Sequence, residues 1–249
     1  MTDRRFLLNS IKSTDEIEAF TRLELGNSAE FRLYGWWRPR NFVRNLDSIE
    51  APGTARSKCT YDEFGGGLRW GQKWYDFLST RLGYELIDKD YNSDFDERDR
   101  IVHRGRIGIR FDPIEYFYAD VRYEFELAES AASSGQPDTS SIQHAPRIEV
   151  GTRIDSFFAG ASWLYERQNY TTSNSSVEDP THSGRVDQRN RFEVWAGFRF
   201  DLGKSVELEL KLSYAHDQNS TSLSSTTTGI EEVREYKANI IEVAASLRF

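Results

Sequence analysis

Long apolar runs are missing from this sequence. No stretch approaches the ~18–20 consecutive apolar residues that a membrane-spanning helix requires, and the mean hydropathy is -0.66. A helical membrane protein is thereby excluded, but a wall that meets lipid with only every second residue is not. Cysteine is almost absent. Cys59 stands alone among 249 residues, so no intramolecular disulfide can form and cysteine usage is silent about redox compartment; it reads as an incidental loop thiol. Basic excess is lacking as well, since 32 Lys and Arg stand against 40 Asp and Glu for a net charge of -8. That balance argues against a nucleic-acid partner. No set of residues has metal-ligand spacing, and no cofactor is expected. Gly65-Gly66-Gly67 is followed by no helix, so it is no phosphate loop; a bend or close packing inside a sheet is expected there.

What is present is a period of two. In residues 239–249 the odd positions read Asn239, Ile241, Val243, Ala245, Leu247 and Phe249, and the even ones Ile240, Glu242, Ala244, Ser246 and Arg248. Successive side chains of a strand point to opposite faces, so this is a strand with one apolar side. Residues 100–111 repeat the pattern: Ile101, His103, Gly105, Ile107, Ile109 and Phe111 face one way, Arg104, Arg106 and Arg110 the other. In 116–127, Phe117, Ala119, Val121, Tyr123, Phe125 and Leu127 oppose Tyr118, Asp120, Arg122, Glu124 and Glu126. Similar alternation predicts strands over 15–25, 29–38, 58–70, 74–86, 146–155, 157–168, 188–200 and 205–216.

Connection lengths are the second regularity. Short links at 26–28, 71–73, 112–115, 155–156 and 201–204 alternate with long polar stretches at 39–57, 87–99, 128–144, 169–187 and 217–233. Transmembrane barrels have short periplasmic turns and long extracellular loops, whereas a soluble sandwich has no reason to keep every second loop long. Aromatics are the third, at 14% of so polar a chain. Trp70, Trp74, Phe111, Phe117, Phe157, Phe200 and Phe249 sit beside the short links or the matching chain end. Tyr84, Tyr123, Trp163, Tyr165 and Tyr214 sit near the long ones. Ten residues from Trp74 to Tyr84 would span ~33 Å of strand, or ~25 Å of height at ~40° tilt. Two interfacial girdles at membrane spacing are expected.

The approach Glu235-Tyr236-Lys237-Ala238-Asn239 and the strand ending Leu247-Arg248-Phe249 resemble the close of bacterial outer-membrane β-barrels. These include the putative β-barrel porins and the barrels that follow periplasmic tetratricopeptide domains in export systems. The resemblance implies an all-β, antiparallel up-and-down transmembrane barrel of about 12 strands, one domain over 1–249, in the bacterial outer membrane. It also implies outer-membrane lipid around the wall and a terminal strand read by the barrel-assembly machinery. No tetratricopeptide segment is visible in the chain. Single-chain barrels have even strand counts, so Arg4 to Asn9, within a poorly marked 1–14, reads as the stub of a twelfth strand. Met1 to Phe20 has no apolar secretory segment, which implies a removed leader or a longer chain upstream.

The inward positions carry both signs. They are Arg104, Arg106, Arg110, Arg122, Arg147, Arg153, Arg191, Arg199, Lys211 and Arg248, with Glu124, Glu126, Glu149, Glu193, Glu207, Glu209 and Glu242. A charged constriction that selects solutes is one expectation; a salt-bridged interior that passes little water is the other. The mixed signs argue against a strong preference for either ion sign. The expected function is a porin-like channel for small polar or polymeric solutes, with a non-conducting anchor or the membrane part of an export assembly as the alternative. No catalytic set is expected. His216-Asp217, with Asp88 and Asp90 at the same rim, faintly resembles the surface proteases of the omptin type, on adjacency alone. His103 is expected to be a satisfied interfacial histidine.

Overall fold

A computed structural model describes residues 2–11, 14–25, 28–47, 56–132, 136–179, 181–203, 206–222 and 235–248. Alternation becomes strand throughout. The elements are β1 (Thr2–Ile11), β2 (Thr14–Leu25), β3 (Ala29–Asp47), β4 (Arg56–Tyr75), β5 (Leu78–Tyr91) and β6 (Arg100–Ile114). They continue with β7 (Phe117–Ser130), β8 (Ser141–Ile154), β9 (Phe157–Tyr170), β10 (Val186–Gly203), β11 (Val206–Ser222) and β12 (Tyr236–Arg248). A short 3-10 turn, Ser93–Arg98, precedes β6. All twelve strands form one sheet whose spatial order is the chain order, and every pairing is antiparallel. Among the described residues no ladder joins β1 to β12. The twelfth strand is β1, paired with β2 from Thr2↔Leu23 to Ile11↔Thr14.

Strands outrun the sequence expectation at several ends, each with a local reason. β3 and β4 absorb most of 39–57, because the register slips between Arg38 and Asn41 and a bulge accommodates Pro39, which has no N–H for the ladder. The link expected at 71–73 lies instead at Asp76 and Phe77, since Gln72 and Lys73 pair with Thr80 and Ser79. Trp74 therefore belongs to β4, and the ten-residue ruler to Tyr84 does not lie along one strand. Asp112 and Pro113 fall in a second slip, between Phe111 and Ile114, which moves that turn to Glu115 and Tyr116. Asp155 and Ser156 turn where expected, with Asp155 at φ 50°, the left-handed backbone a two-residue hairpin turn needs.

The sheet curls. Glu30 on β3 and Glu166 on β9 line one cavity of about 630 Å³, although six strand spacings laid flat would part them by ~29 Å. Only a wall bent around a lumen brings both to one space. Its polarity is inverted relative to a water-soluble fold: outward Ile107 is 47% exposed and Leu212 56%, while inward Glu85 and Asp120 are 4% and 2% exposed.

Candidate functional site: a charged lumen inside an apolar belt

The outer face carries the apolar half of each strand. On β6 it shows Ile101, Ile107, Ile109 and Phe111, a run of eleven residues whose ten steps are worth ~33 Å of strand and ~25 Å of height at ~40° tilt. This is the thickness of an outer-membrane apolar band, recovered on a strand without a slip in that run. At the short-turn end Trp70 meets Trp74 edge-on at 6.4 Å, Phe77 meets Phe111 at 5.8 Å, and Phe157 and Phe200 each lie within 6.0 Å of Phe198. Phe117 is exposed in the same zone. At the long-loop end Trp163 stacks on Tyr165 at 6.3 Å and donates to Asn190 Oδ1 at 3.3 Å.

Three of the four histidines belong to that upper belt. Tyr84 Oη and His103 Nδ1 share a hydrogen bond of 2.7 Å, and Tyr123 Oη and His144 Nδ1 one of 2.5 Å. Tyr214 Oη and His216 Nδ1 both donate to Asn239 Oδ1, at 2.9 Å each. A tyrosine or histidine ring at the interface keeps an apolar body in lipid and a polar edge near water. His216 thus faces out, while Asp217 faces in and takes Arg189 at 3.0 and 2.7 Å. Neighbours on a strand point apart, so the adjacency of His216 and Asp217 makes no dyad.

Inside, carboxylates set against the wall gather guanidinium groups from several strands. Glu85 on β5 accepts from Tyr34 at 2.5 Å, Arg69 at 3.0 Å, Arg106 at 2.6 Å and Arg104 at 3.4 Å. Arg104 and Arg106 reach on to Glu126 at 2.7 Å and Glu124 at 2.5 Å. Asp120 on β7 takes Arg122 and, from two strands away, Arg81 at 3.3 Å. The lattice continues through Arg147 to Glu149 (2.9 Å), Arg110 to Asp112 (2.8 Å), Arg191 to Glu193 (3.2 Å), Arg199 to Glu209 (2.5 Å) and Glu207 (3.4 Å), and Lys211 to Glu193 (3.7 Å). Arg153 lines a second cavity of about 330 Å³ beside Arg110 and Arg199. Glu242 lies opposite inward Ser213. Arg248 pairs in backbone register with Glu207; its side chain, and all of Phe249, lie outside the described residues.

Glycine makes the reach across strands possible. Tyr34, Gly67 and Glu85 are consecutive cross-strand partners. A Cβ on Gly67 would stand 2.6 Å from Tyr84 O and 2.9 Å from Tyr34 Oη, so only glycine lets the tyrosine cross to the carboxylate. Trp36 likewise lies over Gly65, and Tyr118 over Gly151. Gly65 and Gly67 of the triplet pack the inside of the wall, while Gly66 faces out between Phe64 and Leu68.

The long loops form a layer at one end. Phe95, 1% exposed, folds from the 3-10 turn onto Cys59 and Tyr91; Cys59 is a fully buried residue of β4, not the loop thiol expected. Loop 171–185 docks on loop 136–140. Asn174 Nδ2 donates to Gln136 O at 2.9 Å, and the Asp138 N–H to Asp179 Oδ2 at 2.8 Å. Buried Asp179 also takes His182 Nδ1 at 3.0 Å and Thr181 Oγ1 at 2.8 Å. Burial works against its charge, but these donors outweigh it and hold the carboxyl below its usual range. Gly184, at φ 69°, supplies the left-handed residue that closes the loop.

Sequence reasoning named the lumen charges of β6 to β12 but not Arg69, Arg81 and Glu85, although the same period places them inward. The same period put Tyr118 on the inward face, but it did not show which glycines across the ladder the inward aromatics cover. Asp179 and His182 carried no periodic signal at all.

No family model and no curated protein matches the sequence. Among solved structures the chain is similar to the open form of the ferric-catecholate import receptor Fiu from E. coli K12, with a TM-score of 0.45 and 9% identity over 94% of this chain and 49% of that one. It thus spans about half that receptor's length. It is also similar to LpxR from Salmonella typhimurium, with a TM-score of 0.39 and 11% identity over 95% of this chain and 89% of that one. What places the chain is its own inverted polarity: an apolar belt of bilayer height between aromatic girdles, an ion-paired interior, and short turns at one end against long loops at the other. These are the features of an antiparallel, up-and-down β-barrel wall built to face lipid.

Proposed function

We propose that the chain is a porin-like channel that passes small polar or polymeric solutes. The observation that carries this reading is the lumen cavity of about 630 Å³, lined by charged side chains from β3 to β9. Lumen-facing side chains of such barrels tune which solutes pass. Purified protein, folded in detergent and added to planar bilayers, is expected to give steady conductance steps. A folded barrel that stays electrically silent overturns the reading. Silence would favour a non-conducting anchor or the membrane part of an export assembly. Two features support that second reading: the inward apolar cluster of Ile87, Val102, Ala128 and Trp36, and the loop layer docked at the same end.

A further inference from the structure

Sign balance in the sequence hides an imbalance in placement. The register sets Arg81, Gly108, Arg122 and Arg147 in one cross-strand row, and Arg69, Gly83 and Arg106 in the next row. Arg122 and Arg147 are direct partners, an arrangement that like charges disfavour. Their carboxylate partners lie against the wall while the guanidiniums project from it. Glu85 has a side-chain exposure of 6% against 49% for Arg69, and Asp120 has 3% against 54% for Arg81 and 44% for Arg122. Arg147, at 41%, stands over Glu149 at 17%. A guanidinium has five N–H donors; Arg69, Arg81, Arg122 and Arg147 each give one nitrogen to the carboxylate beneath, while Arg106 is shared between Glu85 and Glu124. Gly83 and Gly108 bring no side chain of their own, and the stems of Arg69, Arg106 and Arg122 lie against them. All five arginines line the larger cavity. Glu124 and Glu166 line it as well, at 31% and 27%, and Glu30 at 42% is the most exposed acid there.

We infer that these arginines form a two-tier site for multivalent anions: solutes bearing two or more carboxylate or phosphate groups. The tiers are two residues apart along each strand, or ~6.6 Å, a separation that two acidic groups of one small molecule can bridge. Planar guanidinium forks suit both carboxylate and phosphate. The inference deepens the channel reading by naming a solute class, but binding can be measured without conduction.

The test is calorimetric titration of the detergent-folded protein with citrate, with tripolyphosphate and with acetate at low salt. Citrate or tripolyphosphate is expected to bind at least tenfold more tightly than acetate, and more weakly as salt rises. Whichever of the two binds more tightly identifies the carboxylate or the phosphate source. In the double variant Arg81→Gln, Arg147→Gln, where Arg122 still partners Asp120, affinity is expected to fall at least tenfold; Arg147→Gln alone should fall part of the way. Heat-modifiable gel migration checks that each variant folds. Equal affinity for acetate and the multivalent anions, or no change in a folded double variant, overturns the inference. A protein that binds citrate through these arginines yet is silent in bilayers supports the site and overturns the channel. One that conducts but binds no multivalent anion does the reverse.

Discussion

Gly67 shows how much one missing side chain decides. Its Cα lies under a hydrogen bond that spans two strand spacings, from Tyr34 to Glu85, and a Cβ there would meet backbone at 2.6 Å. Gly67→Val must shift the wall or expel the tyrosine, at a cost of ~2 kcal/mol, seen as a lower urea midpoint for unfolding from lipid vesicles. Gly105, outward on β6, has nothing within 4 Å of a built Cβ, so Gly105→Ala is expected to stay within ~0.5 kcal/mol of the parent. Equal effects at the two positions would contradict the close-packing account. Residue by residue, the faces were legible in the sequence because period two is rigid. Which glycine carries an aromatic neighbour was not, because that depends on register between strands, and Tyr34 and Gly67 are 33 positions apart.

At the scale of elements, the connections hold the testable chemistry. Cys59 is sealed by Phe95, and it is the chain's single thiol. Wild-type protein is expected to resist a maleimide probe in its folded state. Phe95→Ala, which opens the seal, should label many times faster, and equal rates would show that the 3-10 turn does not cover the thiol. The docked loop 171–185 should respond to acid. Asp179 is held ionised below the ordinary carboxyl value of ~3.9. A lowered folded-state value means its stabilisation is complete above about pH 4 and fades as the pH falls through that lower value. Hydrogen exchange in 171–185, corrected for intrinsic rates, should therefore accelerate at pH 3 relative to pH 6. In Asp179→Ala, which removes the acceptor shared by the Asp138 and His182 N–H groups, Thr181 Oγ1 and His182 Nδ1, it should be fast at both. Element boundaries were the least legible part of the sequence. Pro39 and Pro113 read as strand breakers, yet register slips at Arg38/Asn41 and Phe111/Ile114 let β3 and β6 run past them. Hydropathy does not announce a bulge.

For the whole molecule, the membrane assignment makes a prediction that a soluble fold would not. Ile107 is outward, near the middle of the β6 apolar run, and 47% exposed. On a soluble protein, placing Arg at such a position changes stability by no more than ~0.5 kcal/mol. At a bilayer midplane it costs ~2–4 kcal/mol, so Ile107→Arg should lower the unfolding free energy in lipid vesicles by that amount. Parity with the parent would count against lipid contact at this face.

Strand order equal to chain order has a kinetic meaning of its own. Every described ladder joins strands adjacent in sequence, and the tightest hairpins, such as Phe157 returning against Ile154, close across two residues. Contacts so local carry little loop-closure entropy, and low contact order speeds folding. Each newly inserted strand finds its partner already waiting beside it. The wall can therefore zip up hairpin by hairpin, with no strand having to search the chain for a distant mate.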